Sequence, residues 1–239
     1  MSNKLLNTIF AATTFVSIFS LGLPETTLAT SANASTNSGI TVTIEEPYLE
    51  TTQLIDNFFV VDFNEESLGG NGFNRTNDGT TYTYGADLRI DSANQWGGAE
   101  GSKFITNAAG QGSFQISVDR DQKYYGFWWS AGDSYNKITF KNDGAEVAAF
   151  KTADLVNFIN SSGVDDTSAY YGNPNGGYGN SGHKNEPFAF VNVFFNDLTY
   201  DEIIIETMTD NGAAFESDNH TFSAIAQPLR GININAFSD

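Results

Sequence analysis

Near the end of the chain, the string "FESDNHT" (215–221) sets Glu216, Asp218 and His220 at every second position. Side chains alternate along a strand, so this spacing would put all three on one face. Two carboxylates on one face are the equipment of acid–base work on a glycosidic bond, one group holding a proton while the other accepts charge. The same oxygens also suit a hard cation, which takes carboxylate and carbonyl ligands. Asp62, Asn64 and Glu65, just after an earlier apolar run, join Glu216 and Asp218 as the candidate ligands of a calcium ion. A plainer reading is that Glu216, Asp218 and Asn219 form a turn closed by local side-chain hydrogen bonds.

A second pattern is aromatic. In "YYGFWWSAGDSYNKITF" (124–140), Tyr125, Phe127 and Trp129 would point one way, and Tyr124 and Trp128 the other, with Gly126 between them. The first set reads as core. Tyr124 and Trp128 would lie roughly 13 Å apart along a strand, a spacing suited to stacking on sugar rings. Asn136 or Asn192 would supply polar contacts, and Tyr178 in a later Gly-rich loop is a further candidate. The competing expectation is that this strand is central and that both its faces are covered.

Jelly-roll retaining glycosidases use an E-x-D-x-x-E run that resembles "ESDNHT", with one Glu as nucleophile and another as acid. Here the second Glu is missing and His220 arrives early, so a hydrolase using Glu216 and Asp218 is the alternative rather than the leading reading. Phosphate-binding Gly loops, HExxH and GxSxG are absent from the sequence. His183 and His220 are the only histidines, too few for a histidine-rich metal site.

These candidates need a frame to hold them. The 239 residues allow one large domain with an ample core. Runs such as "ITVTI" (40–44), "SFQISV" (113–118), "FAFVNVFF" (188–195) and "DEIIIET" (201–207) read as strands separated by turn residues. The Asn-Asp-Gly turn in "KNDGAE" predicts a hairpin, and 124–151 is expected to form a three-stranded meander. Thr152 is placed to cap one helix, "ADLVNFI", whose Leu155, Phe158 and Ile159 share a face. Residues 64–80 and 172–187 read as long loops. The predicted fold is all-β: a two-sheet antiparallel sandwich, jelly-roll-like, with one short helix.

Composition narrows the partners. A net charge of −18 repels phosphate backbones and anionic lipid, which excludes nucleic acid as a natural ligand and leaves divalent cations and neutral glycans. With Lys4 ahead of the stretch "LLNTIFAATTFVSIFSLGL" and Ala32-Asn33-Ala34 after it, residues 1–34 read as an export signal, leaving 35–239 as one secreted or cell-surface domain. No Cys is present, so no disulfide or thiolate chemistry is available.

Along 120–222, "YYGFWWSAGDSYNKITF", "AAFKTADLVNFI", "YYGNP", "EPFAFVNVFF" and "FESDNHT" occur in an order that resembles exosortase-dependent, PEP-CTERM-type bacterial surface proteins. The resemblance implies an exported, surface-associated β domain without assigned catalytic residues. Proteins of that type end in a Pro-Glu-Pro motif, an apolar helix and a basic tip, whereas this chain ends "AQPLRGININAFSD". The expectation is therefore free secretion or non-covalent surface association. Three roles stay open: a structural, adhesive or glycan-binding module, a glycoside hydrolase, and a self-associating matrix protein pairing through strand edges.

Overall fold

A computed structural model describes residues 39–50, 57–107, 112–173, 185–209, 212–229 and 232–234, within one compact unit, Ala34–Asp239. Residues 1–34, for which an export signal is expected, lie outside the described residues, as do Tyr178 and His183.

Among the described residues, fourteen strands form two antiparallel sheets that pack face to face, as the alternating runs predict. The strands are β1 (Ile40–Ile44), β2 (Phe59–Val61), β3 (Phe73–Asn77), β4 (Thr80–Tyr84), β5 (Leu88–Asp91), β6 (Phe104–Asn107) and β7 (Ser113–Gln122). They continue with β8 (Tyr124–Ser130), β9 (Asn136–Asn142), β10 (Ala145–Lys151), β11 (Ala189–Phe195), β12 (Tyr200–Thr207), β13 (Glu216–Ser223) and β14 (Ile232–Ile234). The eight-stranded sheet runs β14-β1-β11-β8-β13-β6-β5, with β2 beside the second half of β13. The six-stranded sheet runs β10-β9-β12-β7-β4-β3.

The two sheets differ on their outer faces. In β7, Phe114, Ile116 and Val118 enter the core while Ser113 and Gln115 face solvent. On the same outer face, Lys137 pairs with Glu206 at 3.0 Å and Lys141 with Glu202 at 3.2 Å, each pair directly opposite across β9 and β12. This is the one-sided burial usual for an antiparallel sheet. In β8 and β11 every residue is buried, so loops must cover the outer face of the eight-stranded sheet as well.

Burial on both faces explains where the expected meander fails. Strand β9 pairs with β10 through the Asn-Asp-Gly turn, with φ positive at both Asp143 and Gly144 as a tight hairpin requires. Strand β8 does not join them. It sits in the middle of the other sheet between β11 and β13, and "AGDSY" (131–135) crosses from one sheet to the other. A strand this apolar on both sides belongs at the centre of a covered sheet, not at the end of a meander. The segment 64–80 also holds more structure than a loop, because β3 and β4 form a second hairpin over Asn77-Asp78-Gly79.

The helix α1 (Thr152–Ser161) buries Leu155, Phe158 and Ile159, as its periodicity predicts. Its cap differs from expectation. The Thr152 hydroxyl donates instead to the Asp133 carbonyl, and Asp154 accepts from the Lys151 backbone N–H at 2.7 Å. Thr152 thus ties the helix to the crossing loop.

Candidate functional site

The aromatic row on the outer face of β8 is covered. Trp128 is 3% exposed, packs against Phe188, Phe190 and Ala99, and donates its indole N–H to Glu50 at 2.9 Å. Tyr124 is buried against Phe194. Its hydroxyl donates to Asn192 Oδ1 at 2.7 Å, and Asn192 in turn donates to Thr43 and Glu45. Gly126 leaves no open gap, because a Cβ there would stand 2.4 Å from the Tyr124 hydroxyl oxygen. Asn136 is buried too, accepting from the Thr207 hydroxyl. Tyr124 and Trp128 therefore build an outer layer of the core and offer no ring face for stacking, while Asn136, on β9 of the other sheet, shares the inward face of Ile138 and Phe140.

The acidic string is divided by a bulge. Glu216, Ser217 and Asp218 lie opposite Ser130, Trp129 and Trp128, and the register then slips so that Thr221 faces Gly126. Asn219, at φ 49, absorbs the extra residue; Asn tolerates this left-handed conformation better than most side chains. The slip falls where the neighbour of β13 changes from β6 to β2. Glu216 and Asp218 consequently face outward, and His220 turns into the inter-sheet core, against the expectation that all three share a face.

Inside, His220 is fully buried among Phe63, Tyr84, Tyr125 and Phe127. Its Nδ1 lies 3.0 Å from the Tyr84 hydroxyl and its Nε2 2.8 Å from Ser217 Oγ. The Ser217 hydroxyl donates to the Trp128 carbonyl at 2.9 Å. Ser217 has one hydrogen, so Nε2 carries the ring proton and Nδ1 accepts from Tyr84. Burial lowers the His220 pKa to about 3. A Ser–His contact is also how a nucleophile meets its base, but here the serine proton points to the backbone and the imidazole stays neutral. This is a satisfied polar thread.

Outside, Asp218 is fully occupied. Its Oδ2 accepts from the Ala99 N–H at 3.1 Å and the Ser102 hydroxyl, and its Oδ1 from the Asn219 N–H at 2.8 Å. Burial pushes its pKa well up despite these donors. Asp218 clamps the 97–102 turn over Trp128 and has no exposed oxygen for catalysis, so a hydrolase built on the Glu216/Asp218 pair is not what the strand presents. The five calcium candidates do not converge either. Asp62 and Asn64 line a groove of about 600 Å³ with Glu50, Phe58 and Asn219, and Glu65 pairs with Arg75 at 3.4 Å. Glu216 belongs to a different cleft. Among the described residues, no three acidic or histidine side chains are grouped to hold a metal ion.

That second cleft, about 450 Å³, forms at the rim where β8 leaves the sheet and β11 and β13 enter it. Glu216 reaches it from β13, Arg89 from β5, Asp133 and Tyr135 from the crossing loop, Glu186 from the segment before β11, and Trp96 from the turn after β5. The crossing loop is held at both ends. The Gly132 N–H donates to the Pro187 carbonyl at 3.0 Å, where a Cβ on Gly132 would already touch that oxygen. The Asn136 N–H donates to the Asp133 carbonyl at 3.0 Å, which closes the turn. Trp96 is set by an Asx turn, its N–H donating to Asn94 Oδ1 at 2.8 Å.

Two features make this cleft a candidate site. Trp96 and Tyr135, both in its lining, are 41% and 42% exposed, whereas the aromatics of β8 are sealed. Glu216 is only 8% exposed, yet its Oε2 has no hydrogen-bond partner among the described residues, a costly state for a carboxyl unless the group is protonated or a ligand completes it. Burial first, and then the charges of Asp133 and Glu186, push the Glu216 pKa well above the usual carboxylate range; Arg89 opposes them weakly. The guanidinium is engaged with Asp91 through Nε at 2.9 Å and through its terminal nitrogen.

Sequence reasoning found Glu216 but not its companions. Asp133 and Tyr135 stand inside the same stretch as the aromatic row, and the signal was "AGDSY", too long for a two-residue hairpin turn. Trp96, in "NQWGG", is an aromatic among turn formers, where no strand could bury it. The chain matches no family model, no curated protein and no solved structure.

Proposed function

We propose that the protein is a secreted or cell-surface module that binds glycan in the cleft between Trp96, Tyr135 and Glu216. The observation that carries this reading is that two exposed aromatics and three carboxyl groups line one cleft. Sugars have an apolar ring face and a polar rim. Trp96 and Tyr135 supply the stacking surface, and the carboxyl oxygens of Asp133, Glu186 and Glu216 accept from hydroxyls. The volume lies within the range of small-molecule sites. Export is supported by the leader-like N-terminal segment and by the surface-protein resemblance of 120–222. Among the described residues, no helix is long and apolar enough to cross a membrane.

The test is titration of the protein against a panel of neutral and charged oligosaccharides, with Trp96→Ala and Tyr135→Ala beside it. Losing one stacking ring should weaken binding by about 1–3 kcal/mol, or roughly tenfold or more, while the melting temperature barely moves. Equal affinity in a folded Trp96→Ala, Tyr135→Ala double variant, or no binding to any member of the panel, overturns the reading.

A further inference from the structure

The groove of about 600 Å³ borders the same two segments as the cleft. Strand β13 lends Glu216 to the cleft and Asn219 to the groove, and the stretch 96–102 lends Trp96 to the cleft and its later residues, from Ala99 on, to the groove. Asn219 follows Glu216 by three positions of extended chain, roughly 10 Å. The two openings are neighbours along one strand, at a separation that a few linked sugar rings would cover.

The groove also offers the same two kinds of surface as the cleft. Phe59 and Val61 of β2 pack towards the core, so alternation turns Phe58, Val60 and Asp62 outward into the groove. Phe58, at 37% exposed, and the half-buried Val60 supply an apolar strip. Asp62, Glu100 and Asn219 supply acceptors. The Asn219 amide donates to Glu50 through Nδ2 at 2.6 Å, and its Oδ1 has no hydrogen-bond partner among the described residues. No Lys or Arg occurs among the described residues of the lining. Acceptors beside an apolar strip suit hydroxyl donors and ring faces, and the acidic lining repels anions.

We propose that the groove between β2 and the 99–102 turn is a second sugar subsite, and that the module binds an uncharged linear polysaccharide along its length, one stretch in the cleft and the next in the groove. The inference rests on the glycan reading above and extends it from one pocket to a chain. Once the cleft holds one stretch of the chain, the next meets the groove at high effective concentration, so the second contact adds affinity without a second encounter. Affinity should therefore rise with chain length until both openings are filled. A pocket for a chain end would show no such rise.

The experiment is calorimetric titration of the protein with cellobiose and cellohexaose, mannobiose and mannohexaose, the dimer and hexamer of N-acetylglucosamine, and the anionic galacturonic acid hexamer. An uncharged series is expected to bind, its hexamer about tenfold or more tighter than its dimer, and the anionic hexamer is expected not to bind. Phe58→Ala should bring the hexamer down to the affinity of the dimer and leave the dimer as in wild type. Val60→Thr, which keeps the side chain's shape, should lower hexamer affinity in the same sense and serves if Phe58→Ala folds poorly. The Trp96→Ala, Tyr135→Ala double variant should weaken dimer and hexamer together. Equal affinity of dimer and hexamer, full hexamer affinity in both folded groove variants, or tight binding of the anionic hexamer overturns this inference and leaves a glycan cleft. If no sugar binds, or if binding is intact in the folded double variant, the glycan reading itself falls and this inference with it.

Discussion

Two polar groups on one strand, Glu216 and His220, meet burial in opposite ways. Around His220 each donor has an acceptor: Tyr84 to Nδ1, Nε2 to Ser217, Ser217 to Trp128. Around Glu216 one oxygen has no partner, and like charges stand close by. A completed buried network fixes register and rotamers in the core. An incomplete one at the edge of an open cleft keeps a penalty that a ligand could remove. The difference shows that the count of polar groups in a core says little about function until their partners are counted too.

The sharpest way to break this comparison is to delete the inner thread. His220→Ala leaves the Tyr84 hydroxyl without an acceptor and opens a cavity among four aromatic rings, so it should cost about 3–5 kcal/mol. Denaturant titration measures it, and a loss under about 1 kcal/mol would mean the thread is not structural.

Acid should expose the same histidine next. Its folded pKa of about 3 lies below its ordinary 6.5, so in that interval the unfolded chain binds more protons than the folded one. Stability therefore falls as pH drops from about 6.5 towards 3, at up to about 1.4 kcal/mol per pH unit from this group. His220→Gln, which does not titrate, should lack this component; matching pH profiles for variant and wild type would show that His220 titrates normally.

Glu216 should behave with the reverse sign. Its folded pKa is raised, so between the ordinary carboxyl range and that raised value the folded chain binds more protons, and stability falls as pH rises. Glu216→Gln mimics the protonated form and should melt a few degrees higher than wild type at mildly alkaline pH, with little difference in acid. A variant that melts lower than wild type at alkaline pH would remove the argument that Glu216 is held under repulsion.

The smallest effect concerns the bulge that separates the two. Asn219→Gly keeps the left-handed conformation and loses the 2.6 Å bond from Nδ2 to Glu50, so a change within about 1 kcal/mol is expected. Asn219→Val, β-branched at a positive φ, should cost about 1–3 kcal/mol. Equal stability of the two would show that the backbone there is unstrained.

What could be read in advance followed the range of the forces involved. Strand periodicity and the Asn-Asp-Gly turns are local, and they yielded the two-sheet fold and the β9–β10 hairpin. Strand β3 escaped because "FNRTN" is polar and takes its place as an edge strand by pairing with β4. The face of His220 escaped because Asn219 adopts its conformation with help from Glu50, 169 residues away in sequence. The cleft draws on five separate segments, so only Glu216, in a conspicuous acidic string, announced itself.

The bulge at Asn219 has an evolutionary consequence. Without it, the alternation of β13 would bind its two halves into a single phase, and any residue gained or lost would exchange core for surface along the rest of the strand. With it, the strand is two short segments of independent phase. Mutational drift can remodel the segment around Glu216 and retune what the cleft accepts, while the segment from His220 onward stays committed to the core. A seven-residue string that looks like one motif is, in inheritance, two.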